Sequence, residues 1–164
     1  MKHLIALLLA TILLVPSVLG QNVLSPRATA GHGNVSVDYG QPSKRGRVVF
    51  GGLEPYGQVW RTGANEATVI TFKKDGTFGG KPVKAGKYTL YTIPREKEWE
   101  VILNSKLEQW GAYDYEKIKG NDVLHVTVPS GSTKEVVEKF TITVKADAMV
   151  MEWDQTRVSV PIKF

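Results

Sequence analysis

Seven consecutive residues, Trp60-Arg61-Thr62-Gly63-Ala64-Asn65-Glu66, bring a large aromatic ring, a permanent cation, a carboxamide and a carboxylate together around a glycine. The guanidinium of Arg61 is a planar fork that matches a carboxylate or phosphate, while Asn65 and Glu66 carry the donors and acceptors that fix hydroxyl groups. Arg47 adds a second guanidinium, and Trp60, Trp110 and Tyr113 supply flat apolar faces for a sugar ring or an aromatic ligand. Arg47, Trp60, Arg61, Asn65, Glu66, Trp110 and Tyr113 are therefore the candidate ligand-binding set. Two other arrangements use the same groups. Arg61 and Glu66 can pair with each other, or with backbone carbonyls, and so pin a long loop over the end of the fold. Glu66 can also serve as the acid or base of a hydrolase, with Asp38 or Asp114 as a second carboxylate across a cleft.

Other chemistries find little to work with. The chain has no Cys and three His, one of them in the first three residues, so no zinc ligand cluster can be drawn. His125 reads as a strand residue with an ordinary partner, and His32, between two glycines, as a loop residue. No Ser lies in a Gly-x-Ser-x-Gly elbow, and Gly51-Gly52 and Gly79-Gly80 read as hairpin glycines because neither pair opens a helix as a phosphate loop does. Asp147, Glu152 and Asp154 are too scattered for a calcium loop. No catalytic residue, metal or cofactor is expected. The net charge of +5 is spread over single lysines with no basic patch, which speaks against nucleic acid and leaves open an anionic ligand or an anionic envelope surface; the aromatic faces extend the candidate partners to a small carbohydrate ligand.

The elements that must position these groups begin after a leader. Lys2 and His3 precede an apolar run from Leu4 to Val15, and Pro16-Ser17-Val18-Leu19-Gly20 ends in small residues, the pattern of a signal peptide cleaved after Gly20. Pro16 and Ser17 interrupt the run before the roughly 20 apolar residues that a membrane span requires. The expectation is an exported protein, periplasmic or secreted, with no membrane span after cleavage. Without disulfides it depends on its core, and a chain of this length buries about two thirds of its unfolded surface.

Residues 21–33 lack a sustained period and read as a lead-in. From Asn34 the pattern has period two, with Val35, Val37 and Tyr39 on one face. Arg47–Phe50 reads as a short strand, Leu53–Val59 as one helical turn around Pro55, and Ala67–Phe72 as a central strand rich in β-branched residues. Asp75-Gly76 marks a hairpin turn within Lys73–Thr77. Lys87–Ile93, stopped by Pro94, and Glu98–Leu103 form the next pair, followed by an irregular middle from Asn104 to Asn121. Val123–Val128, Glu135–Val144, Ala148–Trp153 and Arg157–Ile162 complete the set, the last two paired across Asp154-Gln155-Thr156. Eight or nine short strands without a long helix predict an all-β fold: a single antiparallel β-sandwich over 34–164 with a loop-rich middle.

Several of these segments together resemble the bacterial family of unknown function numbered 2911. The resemblance rests on Ser25-Pro26, on Tyr39-Gly40-Gln41-Pro42-Ser43-Lys44-Arg45-Gly46-Arg47, on Val59 to Thr68, on Ala85 to Pro94, and on Gln109-Trp110-Gly111. It implies an exported β-rich domain and no activity, so its motif positions locate a site without naming a ligand.

Overall fold

The structure, a computed structural model, describes residues 24–164; the leader and its cleavage point lie outside the described residues. Nine strands form one antiparallel sheet: β1 Arg27–His32, β2 Val35–Gly40, β3 Thr68–Phe72, β4 Gly76–Phe78, β5 Lys81–Val83, β6 Gly86–Pro94, β7 Glu98–Asn104, β8 Asp122–Val144 and β9 Ala148–Lys163. Their order across the sheet is β1-β2-β3-β6-β7-β8-β9-β4-β5. Within the irregular middle, one α-helical turn, α1 Tyr115–Ile118, runs into a 3-10 turn at Lys119–Asn121.

The period-two pattern sorts side chains as the pleat requires. Val35, Val37 and Tyr39 are buried along β2 while Ser36 and Asp38 point away. β3 lies between β2 and β6, the central place its composition implies. The sheet then folds onto itself through its two longest strands. The first part of β8 pairs with β7, and the rest pairs with β9. The far end of β8 returns to the beginning of the chain, where Phe140 N–H donates to Pro42 O at 2.9 Å, Lys44 N–H to Glu138 O at 2.8 Å, and Ile142 N–H to the Tyr39 hydroxyl at 3.1 Å. The apolar faces of the two halves thereby close over one core. At its centre Phe50, Trp60, Trp99, Phe140 and Trp153 pack together, with Trp60 and Trp153 stacked at 5.9 Å and the other contacts mostly edge-on.

Five local expectations give way. The lead-in already contains β1, whose alternating Ala28 and Ala30 pack on the core; alanines carry too weak a hydrophobic signal to reveal the period. Arg47–Phe50 makes no ladder. Its carbonyls are taken by a series of turns, Leu53 N–H to Val48 O at 3.0 Å and Glu54 N–H to Val49 O at 2.9 Å, and Leu53–Val59 continues as turns without a helix. Asp75-Gly76 does not close a hairpin, because β4 pairs with β5 and β9, so this turn crosses between the two halves while the Asp75 carboxylate accepts from Ala85 N–H at 2.8 Å. The four final segments are two long strands. Gly131 pairs with Arg157 despite its turn-like neighbours, and Asp154, at φ 54°, kinks β9 opposite Val137 without ending it.

Candidate functional site

The Trp60–Glu66 segment is held from several sides. Trp60 exchanges backbone hydrogen bonds with Thr92 of β6 at 2.7 and 3.0 Å, its indole is 3% exposed, and its Nε1–H donates to Gly63 O at 3.0 Å. Thr62 is fully buried with φ 54°, a backbone region that costs a β-branched residue about 1–3 kcal/mol and persists only where the surroundings hold it. Its hydroxyl meets that of Thr92 at 3.1 Å, and its carbonyl accepts from the Thr68 hydroxyl at 2.6 Å. A Cβ on Gly63 would stand 2.8 Å from Gly40 O, and one on Gly40 would collide with the Ala64 carbonyl, so the two backbones meet only because both residues are glycine. Asn65, also left-handed at φ 63°, donates through its amide to Ser25 O at 2.9 Å and ties down the chain before β1.

Two left-handed residues within this segment send its polar side chains in different directions. Arg61 and Glu66 do not pair. Arg61, half-buried, donates to Asn65 O at 3.3 Å and lies 5.8 Å from the Tyr113 ring centroid. It lines a cleft of about 270 Å³ with Glu54, Gln58, Trp60, Ala112 and Tyr113. Glu66 is exposed and faces a separate cleft of about 280 Å³ with Arg27 and Lys87, its carboxylate 3.6 Å from Arg27.

The rest of the sequence-derived set is divided likewise. Tyr113, 77% exposed, stands in the Arg61 cleft; Asn65 is a brace; Trp110, 53% exposed, contacts Glu66 through a backbone bridge and does not line the Arg61 cleft. Arg47 is exposed and donates to the carbonyls of Lys44 at 2.9 Å and Ser43 at 2.7 Å. The paired-carboxylate arrangement finds no support in the geometry. Arg27 sits between Asp38 and Glu66, bonded to the first and facing the second, in the space a substrate would need, and Asp114 is taken by Lys117 at 2.6 Å.

Glu54 and Gln58 are the cleft residues that sequence reasoning missed. Burial pushes the Glu54 carboxyl up to about 7 even though the Arg61 and Arg47 guanidiniums pull it down. Its only sequence signal was a lone acid between Leu53 and Pro55. The opposite wall of the cleft, Ala112 and Tyr113, belongs to the irregular middle, which is fastened just beyond by a polar network. Asp122 accepts from the Tyr115 hydroxyl at 2.6 Å and the Asn104 amide at 2.7 Å, and meets His125 Nε2 at 3.0 Å; His125 Nδ1 meets Glu100 at 2.6 Å. Burial lowers the His125 pKa, but the hydrogen bonds to Glu100 and Asp122 outweigh it and the net shift is upward. His125 is thus a strand residue with partners, and His32 lies at the end of β1 and not in a loop.

Among the described residues no group of His, Asp or Glu is placed to hold a metal ion, and no helix is long and apolar enough to cross a membrane. No curated protein and no solved structure matches the chain. A family model described as "Protein of unknown function (DUF2911)" matches residues 24–162, almost the whole of the folded sheet, and the chain belongs to that family.

Proposed function

We propose that the protein is an exported binding domain that takes a small anionic, sugar-like ligand into the Arg61 cleft. One observation carries the reading: a half-buried guanidinium lies beside an aromatic ring and gives one long hydrogen bond to a carbonyl, leaving other donors to face a cleft. A carboxylate on Arg61 with a ring against Tyr113 uses both features. Most of the surrounding segment is architectural, and this is what makes Arg61 a positioned group and not a mobile surface cation. Export rests on the leader sequence; an intact mass of secreted or periplasmic material lacking Met1–Gly20 is expected, and a mass retaining them would contradict it.

Calorimetric titration with glucuronate, glucose and inorganic phosphate tests the binding reading. Glucuronate should bind more tightly than either of the others, because it alone offers both the anion and the ring. Arg61→Ala should weaken it by about tenfold or more, the loss of one charge-assisted contact. Absence of binding by all three at millimolar concentration would leave the segment a purely architectural brace and overturn the proposal.

A further inference from the structure

Glu54 shares the cleft with Arg61, and among the described residues neither a hydrogen bond nor an ion pair engages its carboxyl group. Arg61, from the segment that follows, lines the cleft with it, and the charge of Arg47, from the turns before it, acts on it from outside the cleft. From the irregular middle the facing titratable group is Tyr113; β6, which holds this stretch through Thr92 and Pro94, contributes neither acid nor base there. An acid and one guanidinium therefore share one partly desolvated cleft, with the Arg47 charge acting on the acid from outside it. An anionic ligand drawn in by Arg61 would have to sit beside that acid.

We infer that Glu54 makes the cleft a proton-coupled anion site: a carboxylate ligand enters together with one solvent proton, which Glu54 takes up. Two carboxylates confined in one desolvated site cannot both stay ionised without a large cost, so the one with the weaker hold on its charge accepts the proton. Glu54 is that one. The ligand carboxylate is intrinsically a stronger acid and receives the guanidinium, whereas burial raises the Glu54 carboxyl to about 7, so that it is about half protonated at that pH. The balance is simple: ionised Glu54, a proton and the anion become a protonated Glu54 beside a bound anion, with no other bond made or broken. The new O–H is then a donor toward a ligand oxygen, so the proton removes a repulsion and adds a hydrogen bond. Glu54 thereby selects anions over neutral sugars only where it is protonated. This rests on the proposed Arg61 cleft, and the experiment separates the two claims.

The test is the affinity of the wild-type protein for glucuronate across about pH 5.5 to 8.5, a range in which the sugar acid stays ionised. The expected profile is flat below about pH 7 and weakens by up to about tenfold per pH unit above it, the slope for one linked proton. Glu54→Gln, which keeps a donor but cannot titrate, should abolish the slope, and Arg61→Ala should weaken binding at every pH. Independently of any variant, titrations near pH 7.5 in two buffers of different ionisation enthalpy should report uptake of about half to one proton per glucuronate. Binding that is tight but independent of pH, or a slope that survives in Glu54→Gln, or zero proton uptake, overturns the proton coupling and leaves the anion site standing. No binding at any pH overturns both.

Discussion

Arg61 and Glu66 are five positions apart in a segment whose residue types advertise a site, yet they leave it toward different clefts. The concentration of chemistry was legible in the sequence. The divergence was not, because it follows from the left-handed backbone of Thr62 and Asn65, and a buried threonine at φ 54° is held by its tertiary partners and not by its own preference. Glu54 was illegible for a related reason: its altered acidity comes from burial against residues distant in the chain. These placements fix contrasting mutational costs. Arg61→Ala should lower stability by less than about 1 kcal/mol, since it breaks no buried ion pair. Gly40→Ala should cost at least about 2 kcal/mol, because its new methyl meets the Ala64 backbone, which cannot rotate aside. Urea unfolding of the two variants checks both numbers, and equal losses would contradict the division between displayed and architectural positions.

Among the elements, β2 and β6 announced themselves through alternation, β3 through its run of β-branched residues and β7 through the turn before it, whereas β8 and β9 were each read as two strands. Their interruptions are real, but a bulge at Asp154 and continued pairing around Gly131 carry the ladders through them. The irregular middle gave no pattern because it is ordered by side-chain hydrogen bonds and not by a strand or helix period: its Asn104 and Tyr115 reach Asp122 at the start of β8, which also meets His125. With its pKa raised in the fold, His125 contributes stability that is fully present below the unfolded value near 6.5 and is lost as pH rises through the higher folded value. Hydrogen exchange around α1 should therefore quicken as pH is raised through that window, beyond its intrinsic rate increase. In His125→Gln the additional acceleration should disappear. Protection that keeps its pH dependence in the variant would show that another group fastens this segment.

For the whole molecule, period-two patterning without a long helix was enough to establish an all-β antiparallel fold, since the apolar face of each strand has to be covered by another strand. What patterning cannot convey is that the two covering halves are one sheet folded through β8. That fold-over brings Phe140 and Trp153 against Trp60 and so fixes the wall from which Arg61 is displayed. On the proposed reading this frame delivers Arg61, and not Glu66, to the ligand. Glucuronate affinity at about pH 6, where Glu54 is mostly protonated, tests it most directly when Arg61→Ala and Glu66→Ala are compared side by side. Affinity should fall by about tenfold or more in Arg61→Ala and stay within about twofold of the parent in Glu66→Ala. The reverse order, with Glu66→Ala losing the ligand and Arg61→Ala keeping it, would place the binding site in the Glu66 cleft instead.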